Sequence, residues 1–129
     1  MIVVDTSAVV DALLFAPRTD ELIETLSVED LHAPQLIDYE VVAAVRGLVL
    51  GRHLSVGRGH DLLADFADLQ LERWPADPAL RARAFQLREN LSGYDAAYVA
   101  LAEAMECPLV TRDRRLARAG GHEARVVVL

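Results

Sequence analysis

Four acids stand where a sequence could do chemistry. Asp5 follows the apolar run Ile2-Val3-Val4 and precedes two hydroxyls, Thr6 and Ser7. Asp113 follows a second apolar run, Leu109-Val110-Thr111. Both acids would sit at the C-terminal ends of buried strands, the edge where open α/β sheets bind ligands. Glu40 has Leu36, Ile37, Ala43 and Ala44 three and four positions away, so it lies on a helix face that should be buried. A buried carboxylate needs a partner, because it has lost its hydration. Asp95 lies at the start of the alanine-rich stretch Asp95-Ala96-Ala97-Tyr98-Val99-Ala100, whose small residues let a helix pack close to a sheet. Gathered at one sheet edge, Asp5, Glu40, Asp95 and Asp113 would hold a divalent metal for phosphodiester hydrolysis. Carboxylates without thiols suit hard cations such as Mg²⁺ or Mn²⁺, which clamp a phosphodiester and activate water.

Each acid also has an ordinary reading. Asp5 and Asp113 could simply cap the helices that follow them. Ser92 with Asp95 three residues on resembles a capping box. Glu40 could be a helix-edge residue whose head reaches water. Ser7 and Thr111 could orient carboxylates or be plain turn hydroxyls, and the second is the simpler view. His32, His53, His60 and His122 show no metal spacing and read as surface residues. Arg112, Arg114, Arg115 and Arg118 follow the last sheet edge closely. They read either as contacts to substrate phosphates or as a solvated helix face.

The elements that would position these residues alternate. Strands are expected at Ile2–Val4, Leu31–Ala33, Leu69–Trp74, Pro108–Thr111 and Arg125–Val128. Helices are expected at about Ala8–Phe15, Thr19–Leu26, Gln35–Leu50, Ser55–Asp68, Pro78–Glu89, Ser92–Glu106 and Arg114–Ala119. This alternation predicts a three-layer α/β/α fold around a mostly parallel sheet of four to five strands. Right-handed crossovers would then gather the strands' C-terminal ends on one edge.

Composition narrows the classes. At 129 residues the chain suits one domain over 1–129, and at 53% hydrophobic and 26% charged it is globular. No apolar run approaches the ~18 residues of a membrane span, so no membrane partner is expected. No basic segment precedes the first apolar residues, so no signal peptide is expected and the cytoplasm is the expected location. One cysteine, Cys107, excludes an internal disulfide and zinc-ribbon chemistry. The net charge of −7 argues against broad adhesion to nucleic acid but leaves room for a local basic rim. All 13 cationic side chains are Arg. The absence of Lys rules out a Walker A loop.

The segments VVDTSAVVDALL, APQLIDYEVVAAVRGLV around Glu40, LSGYDAAYVALAEAM around Asp95 and PLVTRDRRLARA around Asp113 occur in order over nearly the whole chain. In these the chain resembles the PIN-domain ribonucleases, and within them the VapC-type toxins of bacterial toxin–antitoxin pairs. The resemblance implies a PIN-like fold and a metal-binding quartet falling on Asp5, Glu40, Asp95 and Asp113. It also implies Mg²⁺-dependent cleavage of RNA with Mn²⁺ able to substitute, a homodimer, and inhibition by a cognate antitoxin. Where the pattern leads one to expect an aromatic shortly after the last acid, this chain has Leu116.

Two rivals stand beside this reading. One is a catalytically silent PIN-like interaction domain, against which the retention of all four acids speaks. The other is a phosphatase-like phosphoryl-transfer domain. Those sites use a lysine near the phosphate and a second Asp two positions after the first, where this chain has Ser7.

Overall fold

The computed structural model describes all residues, 1–129. Five short strands, β1 (Ile2–Val4), β2 (Leu31–Pro34), β3 (Leu71–Trp74), β4 (Leu109–Thr111) and β5 (Val126–Val128), form one sheet in the order β3-β2-β1-β4-β5. Every pairing is parallel. β1, β2 and β4 are buried along their whole length, as strands covered on both faces must be.

The chain runs outward from β1 to β2 and β3 through α1 (Thr6–Leu13), α2 (Asp20–Val28), α3 (Ile37–Leu50) and α4 (Val56–Asp68). It then returns across the sheet through α5 (Pro78–Gln86) and α6 (Gly93–Met105) to β4, and ends through α7 (Arg114–Arg118) in β5. Right-handed crossovers running in opposite directions put their helices on opposite faces. Accordingly α1 packs with α2, α3 and α4, whereas α5 packs with α6. The strand order reverses between β1 and β4, and the crevice beyond that reversal is where such sheets bind ligands. Asp5 leaves β1 there, and Asp113 follows β4 at the same edge.

Two local features set the approach of the helices. Ala96, Ala100 and Ala102 are buried on α6, which lies against β1, β2 and β4; their small side chains let the helix backbone come close. Gly59 on α4 is buried, and a Cβ there would meet Val49 and Val45 of α3 at 3.1 and 3.2 Å, so the α3–α4 pair is tight at that point. One continuous core of 26 buried residues joins both faces of the sheet.

The histidines depart from the surface reading. His53 and His60 are exposed, but His32 is buried in β2, where its Nδ1 accepts a hydrogen bond from Trp74 Nε1 at 3.0 Å. β2 is an inner strand, so even its polar residue is enclosed. His122 is half-buried, and both of its ring nitrogens are enclosed without a hydrogen-bond partner.

Candidate active site

Asp5 is both a cap and a wall of a cleft. Its extended backbone ends β1, and Oδ1 accepts from the Ala8 amide at 3.0 Å, which caps α1. The same oxygen accepts from Ser7 Oγ at 2.7 Å, and Oδ2 accepts from Thr111 Oγ1 across the sheet. Asp5 as a whole is 8% exposed. Burial pushes its pKa above the usual carboxylate value; the bonds from Thr111, Ser7 and Ala8 oppose the rise, and the charge of Asp113 adds to it.

Ser7 and Thr111 are therefore more than turn hydroxyls. Besides donating to Asp5, Ser7 Oγ accepts from the Arg112 amide at 3.0 Å, and Thr111 Oγ1 accepts from the Asp113 amide at 2.9 Å. The two hydroxyls tie the turn after β4 to the acid after β1. That link joins residues about a hundred positions apart, which no local sequence pattern reveals.

Glu40 projects from the first turn of α3 and is half-buried. Its Oε1 accepts from Tyr98 Oη at 2.6 Å and from Thr6 Oγ1 at 3.1 Å. Tyr98 is 2% exposed. Burial and the neighbouring Glu40 carboxylate hold its phenol well above its ordinary pKa, so it stays a donor.

Asp95 and Asp113 are held differently. Ser92 caps α6 by accepting from the Asp95 amide at 3.1 Å. The reciprocal half of a capping box is missing: the Asp95 carboxylate is half-buried and receives no hydrogen bond or ion pair from the protein. Asp113 does cap α7, accepting from the Arg115 amide at 2.9 Å. It also pairs with the Arg115 guanidinium, at 2.7 Å through Nη2 and 3.2 Å through Nε. That guanidinium draws the Asp113 carboxyl below the usual carboxylate value.

These groups meet in one cleft of about 450 Å³, which also takes in Asp11 and the apolar side chains Val10, Leu14, Ala44 and Leu48. Of its five acids, Asp11 is neutralised by Arg112 and Asp113 by Arg115. Asp5, Glu40 and Asp95 have no cationic partner. As they stand, no three His, Cys, Asp or Glu side chains converge closely enough to ligate an ion directly. A Mg²⁺ ion keeps several of its waters and needs only one or two carboxylates in contact, and every polar side chain lining the cleft offers an oxygen.

Arg112 is removed from the substrate-contact candidates. Its Nε pairs with Asp11 at 3.0 Å, while Nη1 and Nη2 donate to the carbonyls of Leu129, Arg18 and Pro17. Every nitrogen of the fork is engaged in holding the chain's C-terminus and the loop before α2. Arg114 and Arg118 are exposed on α7. Leu116 is buried and lines the outer wall beside Asp95, Asp113 and Arg118, where an aromatic was expected. Thr6 and Tyr98 were not foreseen. Tyr98 lies three residues after Asp95, on the same helix face, and that spacing was the available signal.

The sequence matches the PIN domain family over residues 2–122. It is 40% identical over 126 residues to ribonuclease VapC12 of Mycobacterium tuberculosis, covering 98% of this chain and 97% of that one. Among solved structures, VapBC2 of Rickettsia felis, bound to a DNA fragment from its promoter, superposes with a TM-score of 0.71 at 16% identity, covering 99% and 98% of the two chains. VapBC-5 of Mycobacterium tuberculosis, a member of the VapBC family of toxin–antitoxin systems, superposes with a TM-score of 0.64 at 20% identity, covering 98% and 97%.

Proposed function

The chain belongs to the PIN domain family, among its VapC ribonucleases, and from that premise we propose that it is an endoribonuclease, the toxin of a type II toxin–antitoxin pair. In this reading it works as one domain, and Asp5, Glu40, Asp95 and Asp113 hold Mg²⁺, with Mn²⁺ able to replace it. The observation that carries the reading is the cleft in which three carboxylates, Asp5, Glu40 and Asp95, stand without a cation. Like charges gathered in a partly buried cleft are costly unless a cation offsets them.

The donor set fits the ion, being all oxygen with the one thiol, Cys107, buried elsewhere. When bound, such an ion polarises the phosphoryl group and lowers the pKa of an attacking water. The chain's own residues fix where that chemistry happens. Ser7, Ala8 and Thr111 immobilise Asp5; Thr6 and Tyr98 immobilise Glu40. Asp95 is free to take up a ligand or a water. Asp113 is shared with Arg115 and must exchange that guanidinium for the ion to join the other three. Arg114 and Arg118, exposed on the helix that Asp113 caps, supply phosphate contacts that a chain of net charge −7 cannot supply over its whole surface.

RNA and a cognate antitoxin are the partners of this reading, with a second copy of the chain completing a homodimer in the cytoplasm. No helix is long and apolar enough to cross a membrane. The test is cleavage of RNA by the purified chain with Mg²⁺ and with chelator. Cleavage should require the metal. The double variant Arg114→Ala/Arg118→Ala should bind RNA more weakly, with a salt dependence flattened by about one unit per lost contact. Cleavage that persists in chelator overturns the reading.

A further inference from the structure

The buried half of the cleft holds a feature that the four acids alone do not explain. Both hydroxyls near Glu40 converge on a single oxygen. Tyr98 Oη donates to Oε1 at 2.6 Å, Thr6 Oγ1 lies 3.1 Å from the same oxygen, and the two hydroxyl oxygens are 3.1 Å apart. A carboxylate oxygen has two lone-pair sites, so Oε1 is full. Oε2 receives nothing from the protein, although Glu40 lines the cleft.

Glutamate has three rotatable bonds, and its terminal torsion is broad. Left to itself, a half-buried glutamate would sample several orientations and would share its donors between both oxygens. Here the donor on Oε1 is a phenol set in the core. Tyr98 is 2% exposed, flanked on α6 by the fully buried Val99, and lies three residues after Asp95 on one face. The second donor, Thr6, is the residue after Asp5, in the first turn of α1. The orientation of Glu40 is thus dictated jointly by the helix that carries Asp95 and the turn that carries Asp5.

We propose that Tyr98, supported by Thr6, is a positioning residue that clamps Oε1 of Glu40 and so reserves Oε2 for the cation. The inference rests on the assignment of Glu40 to a metal site. In this role Tyr98 acts on Glu40, by removing the freedom of its carboxylate. Partners that orient a metal-binding carboxylate are commonly worth about 10–100-fold in metal affinity.

The experiment is calorimetric titration of the full-length protein with Mn²⁺, beside thermal unfolding in chelator and RNA cleavage kinetics. The variants are Tyr98→Phe, Thr6→Val and Thr6→Ser. Tyr98→Phe keeps the ring and loses only the hydroxyl. It should weaken Mn²⁺ binding by about 10-fold or more and lower kcat with KM for RNA unchanged. Thr6→Val should shift the Mn²⁺ affinity in the same direction, and Thr6→Ser should restore it. A purely structural tyrosine would lower the melting temperature in chelator and leave the Mn²⁺ affinity where it was; that result overturns the proposal. If Tyr98→Phe fails to fold, Thr6→Val against Thr6→Ser decides alone: wild-type Mn²⁺ affinity in Thr6→Val overturns it. A wild type that binds no Mn²⁺ removes the metal site itself, an outcome distinct from a wild type that binds and a Tyr98→Phe variant that binds equally well.

Discussion

The two sides of the acid cleft are built on different principles. On the inner side, Asp5 and Glu40 are gripped by side-chain hydroxyls that reach in from other elements: Thr111 of β4, Tyr98 of α6, and Thr6 and Ser7 at the start of α1. On the outer side, Asp95 and Asp113 sit in or before the first turns of α6 and α7, and their only side-chain partner is the exposed Arg115. The inner acids gain fixed geometry at the cost of desolvation. Of the outer acids, Asp95 receives no hydrogen bond or ion pair from the protein, and Asp113 shares its carboxylate with the exposed Arg115. In the proposed reading the inner wall is preorganised for the ion, and the outer wall offers it one carboxylate, Asp95, that no protein group holds.

The comparison breaks most visibly at Asp5. Asp5→Asn keeps the shape of the side chain and removes its charge. It should lower RNA cleavage by about 10²–10³-fold or more, the scale of losing one fixed electrostatic partner of the reaction, while circular dichroism stays native. Wild-type cleavage by a folded Asp5→Asn protein would make the inner wall merely structural.

Thr111→Val sharpens the contrast. The variant is nearly isosteric, leaves Asp5 Oδ2 without its donor and leaves the Asp113 amide without its acceptor. Metal affinity should fall about 10–100-fold, and metal-free stability should drop by about 1–3 kcal/mol, the cost of unmade buried hydrogen bonds. Calorimetry and urea unfolding read the two effects separately. Equal metal affinity in wild type and variant would mean that the inner wall needs no support.

The two walls should also respond to pH with opposite sign in the metal-free protein. Asp5 has a raised folded pKa, so its protonated form is favoured in the native state. Its penalty is absent below the ordinary value near 3.8 and grows as pH rises through the folded pKa. Asp113 has a lowered folded pKa. Its contribution is present above the ordinary value and is lost as pH falls through the folded one. With Arg115 largely exposed, solvent screening makes the second effect the smaller. Unfolding curves across the acid range should show Asp5→Asn gaining on wild type as pH rises and Asp113→Asn losing. Parallel pH profiles for the two variants would show that the walls do not differ as described.

The sequence exposed the positions of the acids better than their support. Apolar runs ending in Asp5 and Asp113 mark strand ends in any parallel sheet, and Glu40 among apolar neighbours betrays a face short of a partner. The strands and helices follow from period and capping, with Ser55, Asp77 and Ser92 capping where helices begin. Partnerships across the fold left no such trace. Thr111 with Asp5 and Tyr98 with Glu40 join residues 106 and 58 positions apart, and a hydroxyl in a turn looks the same whether or not it holds a carboxylate. Arg112 misled for the same reason: beside Arg114 and Arg115 it reads as part of a basic surface, yet its partners lie on α1, in the following loop and at the C-terminus. His32 misled because a histidine in a short segment carries no sign of which strands will flank it.

The central claim is that these acids gather for a cation, and Asp95 tests it most directly. Ser92, not Asp95, supplies the cap of α6, so Asp95→Asn leaves the cap intact and removes one uncompensated charge from the cleft. The measurement is thermal unfolding of wild type and Asp95→Asn, each in chelator and in excess Mn²⁺. Metal that binds only the folded state must raise the wild-type melting temperature. The variant should melt at or above wild type in chelator and gain less from Mn²⁺. A wild type indifferent to Mn²⁺, beside a variant that melts lower in chelator, would mean that the acids serve the helix termini and no cation.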